Sequence, residues 1–249
     1  MHSLNFWHKH HLHRAKIILL LWVALPFASH GQSSVYENDM KYQQKKYHFG
    51  IHLGANLSDF RIKHSEEFAL NDSVLSVKSN YDIGFEIGAL ASYHINRFWE
   101  LRTLPTFAFA NKQINYKFND GTATDIKLPQ IFFHFPLELK FKSEPIKDFK
   151  IYVLCGLQYS LDLGAKLKDR RFVETTNGLI IPPQVKAHDL GVNYGFGFEL
   201  HFPLFILSPE FKVTNSVLNS LKPDNSNIYS RMLQGLHGRT FTFSLNFEG

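Results

Sequence analysis

Apolar and polar residues alternate with a period of two along most of the chain that follows residue 46. Successive side chains of a β-strand point to opposite faces, so this period predicts strands with one apolar face. Eight such segments lie at residues 47–57, 82–95, 99–109, 131–141, 151–163, 189–202, 207–214 and 240–248. No segment has a convincing period of 3.6 residues. The pattern therefore predicts an all-β fold, an eight-stranded antiparallel up-and-down barrel.

The connections between the predicted strands differ in length. In chain order they are 58–80, the turn at 96–98, 119–125, 142–149, 164–187, the turn at Pro203 and 215–237. This mostly long-then-short order is typical of a transmembrane β-barrel of the outer membrane, which has long outer loops and short periplasmic turns. The connection at 119–125 contains Asn119-Asp120-Gly121, residue types that favour a turn.

A soluble lipocalin-like barrel would alternate in the same way, with its apolar face turned inward. Three features favour a barrel whose apolar face lies in lipid. Glycine recurs on the polar face, where it leaves room in a narrow lumen, at positions 50, 54, 84, 88, 156, 191, 195 and 197. Several apolar faces are rich in Phe and reach the roughly 9–11 residues of a spanning strand. Aromatic residues near the segment ends predict an interfacial girdle of Tyr47, Tyr93, Trp99, Phe141, Tyr159, Phe202 and Phe247.

The first 31 residues have the three-part plan of a secretory signal peptide. A basic start with Lys9, Arg14 and Lys16 precedes an apolar run over Ile17–Phe27, and small residues follow. Because this run is shorter than the ~20 residues of a spanning helix, we expect cleavage before Gln32 rather than a retained anchor. The predicted organisation is a cleaved signal peptide at 1–31, a flexible tail at 32–46 and an outer-membrane barrel at 47–249.

Charge and cysteine content narrow the function. The chain has 27 Lys and Arg against 22 Asp and Glu, and three of the basic residues belong to the leader. The remainder is nearly neutral, which argues against a nucleic-acid binder. Cys155 is the one cysteine, so an intramolecular disulfide and C-x-x-C motifs are excluded. We expect outer-membrane lipid as a partner, no small-molecule substrate and no cofactor.

Three prolines and one change of phase do not fit simple alternation. Pro105, Pro136 and Pro209 fall within predicted strands, where each removes a ladder hydrogen bond or marks a bulge. In the third segment the apolar positions are odd-numbered up to Phe109 and even-numbered afterwards. A bulge within residues 110–113 would explain this change.

Charged residues recur on the polar faces and are predicted to point into the lumen. They are Glu86, Arg102, Glu138, Lys140, Asp162, Asp189, Glu199, Glu210 and Lys212. Such a set could serve acid–base chemistry, yet buried charges must be paired, so we favour a structural ion-pair network and no enzyme activity. His48 and His52 lie four residues apart on one strand, about 13 Å, which is too far to chelate one metal ion together. We interpret them as polar lumen residues.

The first three predicted strands carry a resemblance to a known family. Residues 47–109 contain YHFGIHLGANLSDF, DIGFEIGALASYH and RFWELRTLPTFAF. This stretch resembles the PorT family, also called SprT, of outer-membrane β-barrels of Bacteroidota. The later segments LPQIFFHFPLELK, at 128–140, and LSPEFK, at 207–212, resemble outer-membrane barrel domains of that phylum more widely.

The resemblance implies a component of the type IX secretion system. That system exports proteins with a C-terminal sorting domain across the outer membrane, and it supports gliding motility in some bacteria. Other components of that system, of unknown identity, would then be partners. Because an eight-stranded lumen is filled by side chains, we expect an accessory or assembly subunit rather than the conduit. The alternatives are a stand-alone barrel with a role in envelope integrity, adhesion or a small pore, and a hydrolase acting on lipid.

Overall fold

The computed structural model describes residues 45–70, 73–146, 148–165, 173–175, 178–180, 182–222 and 228–249. The predicted signal peptide, and all but the last two residues of the predicted tail, lie outside these ranges. Along the described chain the elements are β1 Tyr47–His64, α1 Glu66–Leu70, β2 Val74–Asn80, β3 Asp82–His94, β4 Trp99–Thr103, β5 Thr106–Phe118, β6 Ala123–Lys142, β7 Phe149–Asp162, β8 Val173–Thr175, β9 Gly178–Ile180, β10 His188–His201, β11 Ile206–Ser216, α2 Ile228–Arg231 and β12 Leu233–Glu248.

The large sheet is antiparallel and closes on itself. Neighbouring strands follow chain order from β3 to β12, and β1 pairs with both β12 and β3. β2 and β3 together form one barrel strand, broken at Tyr81, because both pair with β5. β4 and β5 likewise form one barrel strand, since both pair with β6. The sheet is therefore an eight-stranded up-and-down barrel, as predicted, and β8 and β9 form a separate hairpin.

The alternation of the sequence becomes an outward and an inward face. Phe85 and Phe109 stack on the outer face with ring centroids 4.6 Å apart, and Phe107 lies 5.2 Å from Phe133. Such cross-strand aromatic pairs stabilise neighbouring strands. Glutamate, lysine, serine and asparagine occupy the intervening inward positions. No helix in the ranges described above is long and apolar enough to cross a membrane.

One sequence expectation about β5 is wrong. The predicted bulge within residues 110–113 is absent, because β5 pairs with β6 without interruption from Thr106 to Lys117. The even-numbered side chains remain inside throughout, and only their chemistry changes, from Thr106 and Ala108 to Ile114 and Tyr116. The phase change within β5 is thus a change of surroundings on both faces, and the one-residue register shift in this region lies on the neighbouring strand, between β2 and β3.

The predicted connections also start too early or end too late. Residues 58–80 include the end of β1 and all of β2, so the described part of this connection is mostly strand. The turn predicted at 119–125 is limited to residues 119–122, where Gly121 adopts a positive φ of 85°. The hydrophobic pattern missed the ends of these strands nearest the outer loops, because the apolar side chains there face inward. We call these ends the outer halves of the strands.

The three prolines behave differently. Pro105 separates β4 from β5, and its carbonyl accepts a hydrogen bond from the Ala89 amide. Pro136 and Pro209 lie within β6 and β11, opposite Gln158 and Leu245. A barrel strand therefore tolerates the loss of one amide donor at these positions.

Candidate functional site

The lumen contains a cluster of four buried charged side chains contributed by three strands. The Arg102 Nη2 atom donates hydrogen bonds to Glu138 Oε2 at 2.8 Å and to Glu210 Oε2 at 2.6 Å. Lys212 Nζ donates to Glu138 Oε1 at 3.2 Å. Arg102 and Glu138 have no solvent exposure, and the other two are nearly as buried. Two cations and two anions form this central cluster, which spans the lumen from β4 and β6 to β11.

A second cluster lies closer to the short turns. Lys140 Nζ lies 2.6 Å from Glu199 Oε1 and 3.7 Å from carboxylate oxygens of both Glu100 and Glu248. Lys142 pairs with Glu100 and lies 3.4 Å from Glu199. All five side chains are buried. This lower cluster draws its members from β4, β6, β10 and β12, so it also crosses the full width of the barrel.

Tyr152 joins the two clusters. Its hydroxyl donates to Glu210 Oε2 at 2.8 Å, and Lys140 Nζ lies 4.1 Å from the centre of its ring. Gly197 makes room for the ring, because a Cβ atom there would lie 2.4 Å from Tyr152 Cζ. We call the central cluster, the lower cluster and Tyr152 the ion-pair plug. Buried charges are tolerated when they are paired, and every charge of the plug lies within ion-pair distance of an opposite charge.

A small polar chamber lies on the outer side of the plug. His52 Nε2 lies 2.8 Å from Glu86 Oε1, and its Nδ1 atom lies 2.6 Å from Asn246 Oδ1. Two cavities of about 30 and 20 Å³ share Glu86, His134 and Gln158 in their walls. A cavity of ~10–15 Å³ is enough for one water molecule, so each cavity has room for water and little more.

An apolar core closes the outer end of the lumen. It consists of Phe60, Val74, Val77, Ile114, Tyr116, Ile126, Leu128, Val185, Leu221, Met232, Leu233 and Leu236, which we call the apolar cap. Ile114, Met232 and Leu236 have no solvent exposure. Burial raises the pKa of the Tyr116 hydroxyl, which donates to the Tyr229 carbonyl at 2.9 Å. The cap is a second closure, chemically unlike the plug.

The ion-pair plug and the apolar cap together can seal the lumen. Within the described residues, no group of three His, Cys, Asp or Glu side chains could hold a metal ion. His48 and His52 both lie buried on the inner face of β1, and His48 Nε2 donates to the Lys45 carbonyl at 3.0 Å. The two cavities beside Glu86 are each smaller than an organic substrate.

A family model for the outer membrane protein beta-barrel domain matches residues 32–222. This chain belongs to that family. The outer-membrane barrel domain is similar in fold to solved structures of small outer-membrane barrels. OprG from Pseudomonas aeruginosa is 16% identical, with a TM-score of 0.45, covering 82% of this chain and 95% of OprG. The neisserial surface protein NspA is 9% identical, with a TM-score of 0.41, covering 81% and 96%.

Ail, the attachment invasion locus protein of Yersinia pestis, is a further similar structure. It is 12% identical in its complex with sucrose octasulfate, with a TM-score of 0.35, covering 82% of this chain and all of Ail. A comparison with curated protein sequences gives no match. The family match shows an outer-membrane β-barrel, and the apolar outer face of such a barrel domain lies in lipid.

The seven residues of the predicted aromatic girdle all point outward in this barrel domain. Six of them lie near the periplasmic turns, where Tyr47 packs 5.1 Å from Tyr93 and Trp99 packs 4.9 Å from Phe141. Tyr159 lies at the outer end, beside His188. Their role at the lipid interface stays a prediction.

The nine predicted lumen charges all lie on the inner face, but they do not form one network. Six belong to the ion-pair plug: Arg102, Glu138, Lys140, Glu199, Glu210 and Lys212. Glu86 contacts His52 in the polar chamber. Asp162 accepts from Gln130 Nε2 at 3.0 Å, and Asp189 accepts from the Ser216 hydroxyl at 2.5 Å. Asp189 is only partly buried.

Sequence reasoning missed Glu100, Lys142, Tyr152 and Glu248, which complete the plug. The signal was present in the alternation itself. Glu100 precedes Arg102 by two residues, Lys142 follows Lys140 by two, and Glu248 continues the polar face of the last strand. They were missed because each lies at a strand end, where an alternating pattern has least support.

Proposed function

We propose that this outer-membrane barrel is a non-enzymatic accessory or assembly component of type IX secretion. The closed lumen is the observation that carries the mechanistic part of the proposal. Arg102 and Lys140, with their carboxylate partners, block one end, and the apolar cap blocks the other. A barrel closed in this way acts through its surfaces and not as the conduit. The resemblance of residues 47–109 to the PorT family supports a role in type IX secretion.

The periplasmic turns offer a surface through which other components could bind. Ile146 and Leu204 lie at the tips of two turns and are 68% and 86% exposed. Leu204 adjoins the exposed rings of Phe202 and Phe205, which stack 4.9 Å apart, and contiguous exposed apolar groups often mark interaction sites. We propose that these two turns contact a periplasmic or membrane partner of the secretion machinery.

The test is a deletion strain in the source organism, complemented with defined variants. Proteins that carry the C-terminal sorting domain are measured at the surface, in the medium and in the periplasm. We expect periplasmic accumulation of this cargo in the deletion strain and recovery with the wild-type gene. Normal export without the gene would refute the secretion role and leave a stand-alone barrel.

Complementation with Ile146→Glu/Leu204→Glu tests the turns, and Thr122→Val at an outer hairpin is a matched surface control. We expect the turn variant to reach the outer membrane in normal amount and to fail in export. Full export by this variant would place the contact elsewhere on the barrel. Total outer-membrane barrel content in each strain separates a specific export defect from a general assembly defect.

A further inference from the structure

The outer halves of four neighbouring barrel strands carry a set of exposed cations on their outward face. They are Arg61, Lys63, Lys78, Lys117 and Lys127, which we call the cationic wall. β1, β2, β5 and β6 each contribute at least one of them. Because the apolar cap occupies the inside of these same strands, the outward face is free to be polar.

Three of these cations lie along a seam between β1 and β2. Backbone pairing of β1 with β3 ends at Ser58, and the outer halves of β1 and β2 are joined by side-chain bonds instead. The Phe60 amide donates to Ser79 Oγ at 2.9 Å, and His64 Nε2 donates to the Val77 carbonyl at 3.2 Å. These two bonds set the alignment of the seam.

The two bonded residues of β2 are Val77 and Ser79. Lys78 lies between them, and it therefore faces the part of β1 that carries Arg61 and Lys63. On the other side, Lys78 pairs in register with Asn115, and Lys117 is the next outward residue of β5. Diagonal neighbours in a sheet are about 7–8 Å apart, within reach of long side chains. Four cations therefore form one continuous group. Lys127 lies apart from them on β6, where it pairs in register with Gln113.

Within the part of the chain that the structure describes, this group has no carboxylate partner, because none lies within ion-pair distance of any of its five members. The two acids on the same outward faces have other partners, because Asp59 pairs with Arg239 at 2.7 Å and Asp125 accepts from an Asn115 amide. Like charges at adjacent positions destabilise a sheet. An external anion over the group would remove that repulsion.

The position of the group relative to the lipid indicates which kind of anion would bind to it. Arg61 follows the outward apolar residue Leu57 by four residues, and Lys127 precedes Ile131 by four. Four residues span about 13 Å along a strand, or about 10 Å along the membrane normal for a strand tilted by roughly 40°. Long basic side chains bend towards the interface. Their charged ends then lie at the level of the lipid headgroups.

We propose that the cationic wall binds the phosphate groups of the glycolipid in the outer leaflet of the outer membrane. Several lysines and one arginine suit this ligand, since phosphate accepts hydrogen bonds and neutralises positive charge. The proposal does not depend on a role in secretion. It assigns the β1, β2, β5 and β6 side of the barrel to specific lipid contact.

Retention of bis-phosphorylated lipid A by the full mature protein tests the proposal. The protein is placed in nanodiscs of phosphatidylcholine with a small fraction of lipid A, released, and examined by native mass spectrometry. We expect Arg61→Gln/Lys78→Gln/Lys117→Gln to lower lipid A retention at least about tenfold. Normal heat-modifiable migration on a gel shows that the variant is folded.

The matched control is Lys45→Gln/Lys46→Gln/Lys186→Gln, which removes the same charge from exposed lysines away from the wall. We expect this control to retain lipid A as the wild type does, and dephosphorylated lipid A to be retained poorly by every version. Equal retention by both triple variants would overturn the proposal. A second result would also overturn it: the wall variant retains lipid A but no longer crosslinks to another outer-membrane protein that the wild type crosslinks to. The partner of the wall would then be an acidic protein surface.

Discussion

Replacing Arg102 by Met should leave two buried carboxylates short of a cation. Arg102 gives Glu138 two hydrogen bonds, at 3.2 and 2.8 Å, and gives Glu210 one at 2.6 Å. After the substitution, Lys212 is the nearest remaining cation, at 3.2 Å from Glu138 and 3.9 Å from Glu210. The central cluster changes from neutral to a net charge of −1 while its carboxylates stay buried.

The expected magnitude follows from the burial of the cluster. Removing one partner of a buried ion pair typically destabilises a protein by about 3–5 kcal/mol, because the other charge is left uncompensated. The double variant Arg102→Met/Glu210→Gln restores neutrality with Lys212 and Glu138, and the new amide oxygen can still accept from Tyr152. We expect the double variant to regain more than half of the lost stability.

Equilibrium unfolding in urea measures both values, with the barrel in phosphatidylcholine vesicles. Trp99 is the one tryptophan downstream of the predicted leader and reports on the periplasmic end. A loss below about 1 kcal/mol for Arg102→Met would refute the argument that the plug is a buried, paired network. A double variant less stable than the single one would refute it as well.

Three further predictions concern the plug, the cap and the outer hairpin. Gly197→Ala should lower the free energy of unfolding in urea by about 1–3 kcal/mol, because its Cβ displaces the Tyr152 ring. Leu236→Ala should lower it by about 2–5 kcal/mol and expose the outer strands to added protease, because it opens a cavity in the apolar cap. Hydrogen bonds from the hydroxyl and amide of Thr122 lower the pKa of Asp120, so Thr122→Val should raise this pKa in an NMR titration. Because the folded-state pKa is lowered, the stabilisation is present at neutral pH and is lost as the pH falls through that pKa.

Each of these three predictions would be contradicted by a specific result. A Gly197→Ala protein as stable as the wild type would mean that the tyrosine ring can move without loss. Unchanged protease resistance of Leu236→Ala would mean that the cap does not hold the outer strands together. An unchanged Asp120 titration would assign the lowered pKa to a group other than the Thr122 hydroxyl. Leu57→Ala, on the lipid-facing side of β1, is the matched control for the cap variant.

The number of barrel strands and the inward direction of the charges could be predicted from the sequence. Within the membrane the outside of every strand is lipid and the inside is a narrow polar lumen, so a period of two assigns each side chain to one face. That is why Arg102, Glu138 and Glu210 are found inside, where the alternation places them. The resemblance to the PorT family adds a proposed role in type IX secretion, but it says nothing about where these side chains lie.

The outer halves could not be read from the pattern alone. Ile114 and Tyr116 are apolar and inward, whereas Phe107 and Phe109 are apolar and outward on the same continuous strand. Alternation shows that the two faces of a strand differ, but it does not show which face points into the lumen. Once the strand leaves the lipid the meaning of an apolar residue is reversed, and this reversal was mistaken for a bulge.

The pairing of charges was decided only by the tertiary structure. Arg102 meets Glu138, 36 residues away, and Glu210, 108 residues away, because closure of the barrel brings β4, β6 and β11 around one lumen. The sequence by itself determined the strands and the face of each residue, since these depend on local alternation. The closed plug, the apolar cap and the cationic wall depend on strand register and barrel closure, which are long-range properties of the folded chain.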